Sequence, residues 1–334
     1  MSEMQTRRRF LTGLSGIGAA AVLRTPSMAA EAPPETTSVR LLKQERLCIA
    51  PEYVVADFLR AEGFTDIRYV SLPPGANTPD GIAQRAIDFG VHFGSVQIVG
   101  IDCGVAMKVL AGVHVGCFEL FVNGAVRGVA DLDGKKVGIR AVGEPEHLFL
   151  SVIAANVGID PKTQIDWVTS GQVRPRQLFI DGKVDAFLGF PPEPQELRTN
   201  GIGRVVVNSA LDRPWSQYFC CVLAGSTEYI VNHPAATKRV VRAVLKAADL
   251  CATEPARAAR MLVDSGFTSR YDYAVQALQD VPYDKWREYD AEDAMRFWAL
   301  RLHDVGFIKS SPQKIIADGT DWRFLNELKR ELKA

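Results

Sequence analysis

An excess of charge of either sign is absent from this sequence: 39 lysines and arginines face 39 aspartates and glutamates. Proteins that bind nucleic acid or an anionic membrane surface concentrate basic side chains to displace counterions, and outside the first residues no basic run stands here. Long hydrophobic runs are missing as well. The apolar stretch Leu11 to Leu23 holds thirteen residues, short of the ~20 that span a bilayer. No later apolar segment reaches that length uninterrupted. There is no C-x-x-C pair, which removes the common zinc and redox motifs, and no His/Asp/Glu pair at ligand spacing, so no metal is expected. Also lacking are G-x-S-x-G, H-E-x-x-H, a P-loop and a complete dinucleotide glycine fingerprint in a strand–helix setting. No catalytic signature remains, and neither a cofactor nor a nucleic-acid partner is expected.

What is present begins at the N-terminus. Arg7-Arg8-Arg9-Phe10-Leu11, the apolar run broken by Gly13, Gly16 and Gly18, and the small residues Ser27 and Ala29 resemble a twin-arginine export signal cleaved near Ala29. Export implies a periplasmic location and a passing encounter with the twin-arginine translocase. Residues 1–29 contain four arginines and one glutamate, so the remainder carries 35 basic against 38 acidic side chains, a net −3. A spacer over residues 30–38 follows. The remaining chain exceeds the comfortable size of one core, so two lobes are expected. Six cysteines, at 48, 103, 117, 220, 221 and 251, are too sparse for a disulfide scaffold of this length. They stand in apolar contexts such as Tyr218-Phe219-Cys220-Cys221-Val222-Leu223 and read mostly as small core hydrophobes.

From Val39 the pattern alternates strand and helix, which predicts parallel-type α/β sheets. Strands are expected over 39–42, 67–72, 107–110 and 117–122, with helices over 52–62 and 79–86. Asp88-Phe89-Gly90-Val91-His92-Phe93-Gly94-Ser95 is a strand running into a residue able to cap the next helix. A second unit of the same style opens at Leu132-Asp133-Gly134-Lys135-Lys136-Val137-Gly138-Ile139, with a helix from Pro145 to Asn156 and further strands at 164–168, 184–190, 204–207 and 218–223. From Ser226 the pattern is almost wholly helical, Thr237 to Leu250 being the clearest amphipathic run. Asp88-Phe89-Gly90 and Asp185-Ala186-Phe187-Leu188-Gly189 echo one another, each placing an aspartate ahead of an apolar strand that reaches glycine.

Leu132-x-Gly134-Lys135-Lys136-Val137-Gly138, the strand Val184 to Gly189 and the Pro191-Pro192-Glu193-Pro194 loop resemble the substrate-binding proteins of the NMT1/THI5-like and SsuA/TauA/NrtA group. The resemblance runs over residues 39–310. It implies an α/β, two-lobed periplasmic binding protein of type II, with two crossing strands and a ligand cleft between the lobes. The crossings are expected near 119–124 and 221–225, giving one lobe from residues 39–121 plus 225–334 and the other from 122–224. It implies a monomer that carries a small molecule (a pyrimidine, sulfonate or nitrate-like solute) to an ABC permease in the inner membrane. Two other readings stay open. One is a sensory module that presents ligand to a receptor. The other is an enzyme like the pyrimidine synthases of the same fold, although their CCCFC motif is missing here.

Ligands of open α/β sheets sit beyond the carboxyl ends of strands, where helix N-termini offer free N–H groups. That rule selects Phe93 and Ser95 in the first lobe and Gly143 and Glu144 at the matching place in the second. Arg140 follows a strand and is the expected partner of an anionic group. His114, and with it His147, are donors to ligand oxygens or structural histidines. Phe190, Trp215 and Tyr218, with Phe93, offer walls for a planar ligand or plain packing. Glu193 stands in the Pro-rich loop at the expected cleft rim. Arg140 and Ser95 favour an organic anion, whereas the aromatic residues with Glu144 and Glu193 lean towards a planar or amine-bearing heterocycle.

Overall fold

Two short runs of aliphatic residues, Ser38–Lys43 (β1) and Asp66–Ser71 (β2), pair in parallel from end to end in the computed structural model. The structure describes residues 31–44, 46–171 and 173–332; the expected export signal lies outside the described residues. β1 also pairs in parallel with Phe89–Phe93 (β3), and Met107–Val115 (β4) closes the far side of the same sheet. The chain then enters a second sheet through Glu119–Val122 (β5), followed by Lys136–Ile139 (β6), Asp166–Thr169 (β7), Ala186–Gly189 (β8) and Arg204–Asn208 (β9). It returns as Phe219–Ser226 (β10), which inserts antiparallel between β3 and β4.

The strand orders are β2-β1-β3-β10-β4 and β7-β6-β8-β5-β9. Both follow one plan: three parallel strands, then one antiparallel strand lent by the chain as it arrives from the other lobe, then a fourth. In β3 every residue is buried, as expected of parallel strands covered on both faces. The connectors between sheets are residues 116–118 and 209–218. β5 therefore belongs to the second sheet and β10 to the first, with each crossing a few residues earlier than the sequence pattern indicated. The difference arises because an apolar strand reads the same whichever sheet it joins.

The echoed aspartates occupy equivalent places. Asp88 Oδ2 accepts the Arg40 backbone N–H of β1 at 2.8 Å, and Asp185 Oδ2 accepts the Lys136 backbone N–H of β6 at 3.0 Å. Each carboxylate, just ahead of β3 or β8, ties the start of that strand to its parallel neighbour, β1 or β6, so the repetition in sequence is a repetition of structure.

Helix starts follow local chemistry. Asn77 and Asp80 form a reciprocal capping box ahead of Thr78–Ala83, and Pro145 and Pro234 occupy first-turn positions where no N–H is needed. The helix Pro234–Thr253 buries Val240, Val241, Val244, Ala247, Ala248 and Cys251, one stripe at helical spacing, against β4 and the short helices Ala50–Val54 and Ala56–Ala61. Ser95 differs from expectation. It is the second residue of Gly94–Asp102, whose N-cap is Phe93, and the helix has no side-chain cap.

Candidate functional site

The carboxyl ends of β1 and β3 in the first lobe face those of β6 and β8 in the second, and the lobes touch directly. Leu47 N–H donates to Pro191 O at 3.3 Å across the divide. Around that contact stands a compact set of charged and aromatic groups. Arg46, three residues beyond β1, places Nη1 2.9 Å from His92 Nε2 and its guanidinium 4.0 Å from Glu144 Oε2. The same guanidinium lies 5.1 Å from the Phe93 ring and 5.3 Å from the Phe190 ring. Arg140, at the end of β6, sits 4.5 Å from the other partner of that pair, Phe190, and 3.4 Å from Glu146 Oε1. Phe190 is thus shared by two guanidiniums, one from each lobe, an arrangement in which the ring face offsets part of the desolvation of the cations.

Phe93 stacks on Phe118 at 4.6 Å, and Phe190 meets both edge-on at 5.8 and 6.0 Å. Phe118 belongs to the first connector, so the aromatic cluster joins both lobes and the link between them. It continues through Phe149 to Trp215 and Trp298, at 5.4 and 4.9 Å.

The electrostatics follow from burial. His92 is held well below the ordinary imidazole range, first by burial and then by Arg46, so its ring is neutral and Nε2 accepts from the arginine. Burial raises the Glu144 carboxyl, and the neighbouring Glu146 adds to the effect against Arg46 and Arg140. Glu193 is raised by burial too, with Arg140 opposing. The cleft thus sets two permanent guanidiniums, Arg46 and Arg140, beside the carboxyls of Glu144, Glu146 and Glu193, two of which burial shifts towards the neutral form.

Of the residues singled out in the sequence, the structure brings together Phe93, Arg140, Glu144 and Phe190, and Glu193 feels the charge of Arg140. Gly143 lies beside them at φ +88, in the left-handed region, and donates its N–H to His147 Nδ1 at 3.0 Å. Trp215 is buried against Phe149 and Trp298, and Tyr218 stacks on Phe297 at 3.8 Å, so both serve the aromatic packing that flanks the cleft. His114 stands apart, buried at the end of β4 with Nδ1 against the Val115 and Gly116 carbonyls. Sequence reasoning missed Arg46, His92, Phe118 and Glu146. Arg46 had a usable signal, since it lies just past the end of the first strand, where this class of sheet binds ligands. His92 had none, being one more residue of a buried strand.

Three solved structures share this architecture. The alkanesulfonate-binding protein SsuA of Xanthomonas axonopodis pv. citri, bound to MOPS, superposes with a TM-score of 0.68 at 18% identity, covering 83% of this chain and 96% of its own. The periplasmic nitrate-binding protein NrtA of Synechocystis reaches 0.74 at 14% identity, with 90% of each chain covered. The periplasmic aliphatic sulphonate binding protein SsuA of Escherichia coli gives 0.68 at 17%, covering 86% of this chain and 92% of that one. Among curated proteins none matches in sequence. At these identities the likeness establishes the two-lobed periplasmic binding protein fold. The model of the NMT1-like family matches residues 32–263, and the chain therefore belongs to the NMT1-like family.

Proposed function

We propose that this protein is the exported solute-binding component of an ABC importer, closing its two lobes on a small organic anion with a flat or apolar body. The observation that carries the reading is the pair Arg46 and Arg140, one from each lobe, both set against the Phe190 ring at 5.3 and 4.5 Å. A hinged pair of lobes gains most from a ligand that both lobes bind at once, and a guanidinium from each supplies that shared contact. Phe93, Phe118 and Phe190 would take the body of the solute, while Glu144 discriminates by accepting a donor or by taking up a proton. The structural neighbours bind sulfonates and nitrate, which agrees with an anion. The arginine pair weighs for the organic anion over the amine-bearing heterocycle, the two classes that the sequence offered. Catalysis is not needed for this role, and family and neighbours are periplasmic binding proteins. Among the described residues no helix is long and apolar enough to cross a membrane, in keeping with delivery to a separate permease.

The test is a thermal-shift screen followed by calorimetry against alkanesulfonates, aromatic carboxylates, nitrate and aminopyrimidines. Ligand at a hundred times its Kd adds ~2.7 kcal/mol, a shift of several degrees. Stabilisation by an anionic class, lost in Arg46→Met and Arg140→Met, supports the proposal. Stabilisation by aminopyrimidines alone, undiminished in both variants, overturns the anion assignment.

A further inference from the structure

Beneath the cleft, four residues far apart in sequence converge on one point. Cys48 lies in the 3-10 turn Leu47–Ile49 after β1, His114 near the end of β4, Cys117 in the first connector and Cys221 in β10. One ligand atom from each, three Sγ and an imidazole nitrogen, all fall within 4.8 Å of one another, and all four side chains are buried. Cys221 and His114 are register partners across β10 and β4, so the sheet itself sets them side by side. None of the cysteines forms a disulfide.

We propose that these residues form a closed Cys3His site for a soft divalent cation of the zinc class, which would staple the first connector and the Arg46 loop to the first lobe.

Three features of the surroundings favour an ion over thiols that merely pack. The first is the histidine. His114 Nδ1 is 3.3 and 3.2 Å from the carbonyls of Val115 and Gly116, which makes it the protonated donor and leaves Nε2 with a free lone pair. That Nε2 is buried with no hydrogen-bond partner. A metal-binding histidine held by a backbone carbonyl on its other nitrogen has this arrangement. The second is bracing. Ser209 Oγ accepts the N–H groups of both Cys117 and Phe118, at 3.0 and 2.8 Å, and Tyr283 Oη donates to Cys48 O at 2.9 Å. The Tyr283 ring meets His114 edge-on at 5.4 Å and covers the site. The third is dimension. Zn–S bonds of ~2.3 Å in a tetrahedron put sulfurs about 3.7 Å apart, so the group closes on an ion by contracting its longest edge by about 1 Å. A sulfur-rich tetrahedral set with one imidazole selects zinc over magnesium or calcium, and four protein ligands leave no open position for catalysis.

The experiment uses the full-length chain, purified anaerobically with reductant and freed of metal. Titration with Co2+ is expected to give the visible bands of tetrahedral, thiolate-ligated cobalt, saturating at one equivalent and erased by Zn2+. Zn2+ should also raise Tm. Cys48→Ala and Cys221→Ala should each abolish the colour, while Cys251→Ala, an equally buried thiol outside the group, should keep it. X-ray absorption on the zinc-loaded wild type requires no variant to fold, and is expected to show three sulfurs and one nitrogen. An oxygen-dominated shell overturns the proposal, as does the absence of cobalt colour in protein whose thiols all titrate as free. Retention of full colour in both cysteine variants overturns it too. Because these readouts need no solute, they stand or fall separately from the transport reading.

Discussion

Arg46 Nη1 lies 2.9 Å from His92 Nε2, an arginine donating to a neutral histidine at the floor of the interlobe cleft. The pair positions the guanidinium without neutralising it, because the imidazole contributes an acceptor but no negative charge. Glu144, at 4.0 Å, is the nearby carboxylate.

Replacing Arg46 with methionine, which keeps much of the apolar stem, is expected to weaken binding of an anionic solute at least tenfold, since a charge-assisted hydrogen bond contributes about 1.5–3 kcal/mol. Tm of the free protein should also fall, because the buried His92 Nε2 loses its donor, so the loss of affinity is read at a temperature where the variant is folded. Calorimetry on Arg46→Met beside the wild type is the check, and an unchanged Kd would remove Arg46 from the site.

Asp280, at the end of the first-lobe helix Tyr271–Asp280, accepts from Gln195 Nε2 at 2.9 Å and pairs with Arg198, both on the second-lobe helix Glu193–Thr199. This is a polar latch at the edge of the cleft. Asp280→Ala should shift the solute-free protein towards open forms, read as a larger radius of gyration by small-angle scattering. Solute affinity should fall a few-fold, because closure would then lack these contacts. An unaltered scattering profile would assign the latch to surface decoration.

Gly116 opens the first connector at φ +47, and a Cβ there would collide with the backbone of Ala210 in the second connector. The two links between lobes cross in contact at this point, where neither backbone has room to yield. Gly116→Ala is expected to lower Tm by several degrees, the cost of a strained backbone plus overpacking. Gly143→Ala, at φ +88 with open space around it, should cost less. Thermal unfolding of the two variants tests the ranking.

His147 packs between Trp167 and Phe307 and accepts the Gly143 N–H at Nδ1. Burial pushes its pKa down to about 4 from an ordinary 6.5. The folded state therefore favours neutral imidazole while the unfolded chain takes up a proton first. The stability it contributes is whole above about pH 6.5 and is lost as the pH falls from there towards 4. Protonation also removes the acceptor that holds the Gly143 loop. His147→Phe should flatten the decline of Tm across that window, and an unchanged slope would place the acid sensitivity elsewhere.

Much of the architecture was legible because it rests on local pattern. Alternating strands and helices, prolines at helix starts and the amphipathic run in Pro234–Thr253 each announce themselves within a few residues. The repeated Asp88 and Asp185 mark equivalent strands in the two lobes. The rule that ligands bind beyond strand ends led to Phe93, Arg140, Glu144 and Phe190. The same rule was not carried to the end of the first strand, where Arg46 stands three residues past β1.

The sequence by itself determined the fold class, the family and most strand–helix boundaries, since each depends on spacing along the chain. Only the tertiary structure decided which arginine faces which ring, which lobe β5 and β10 complete, and that Cys48, His114, Cys117 and Cys221 share one buried point. Spacing in sequence carries no record of such meetings. They arise where the return strand β10 slots between β3 and β4 and where the connectors cross, bringing together side chains whose positions along the chain are unrelated.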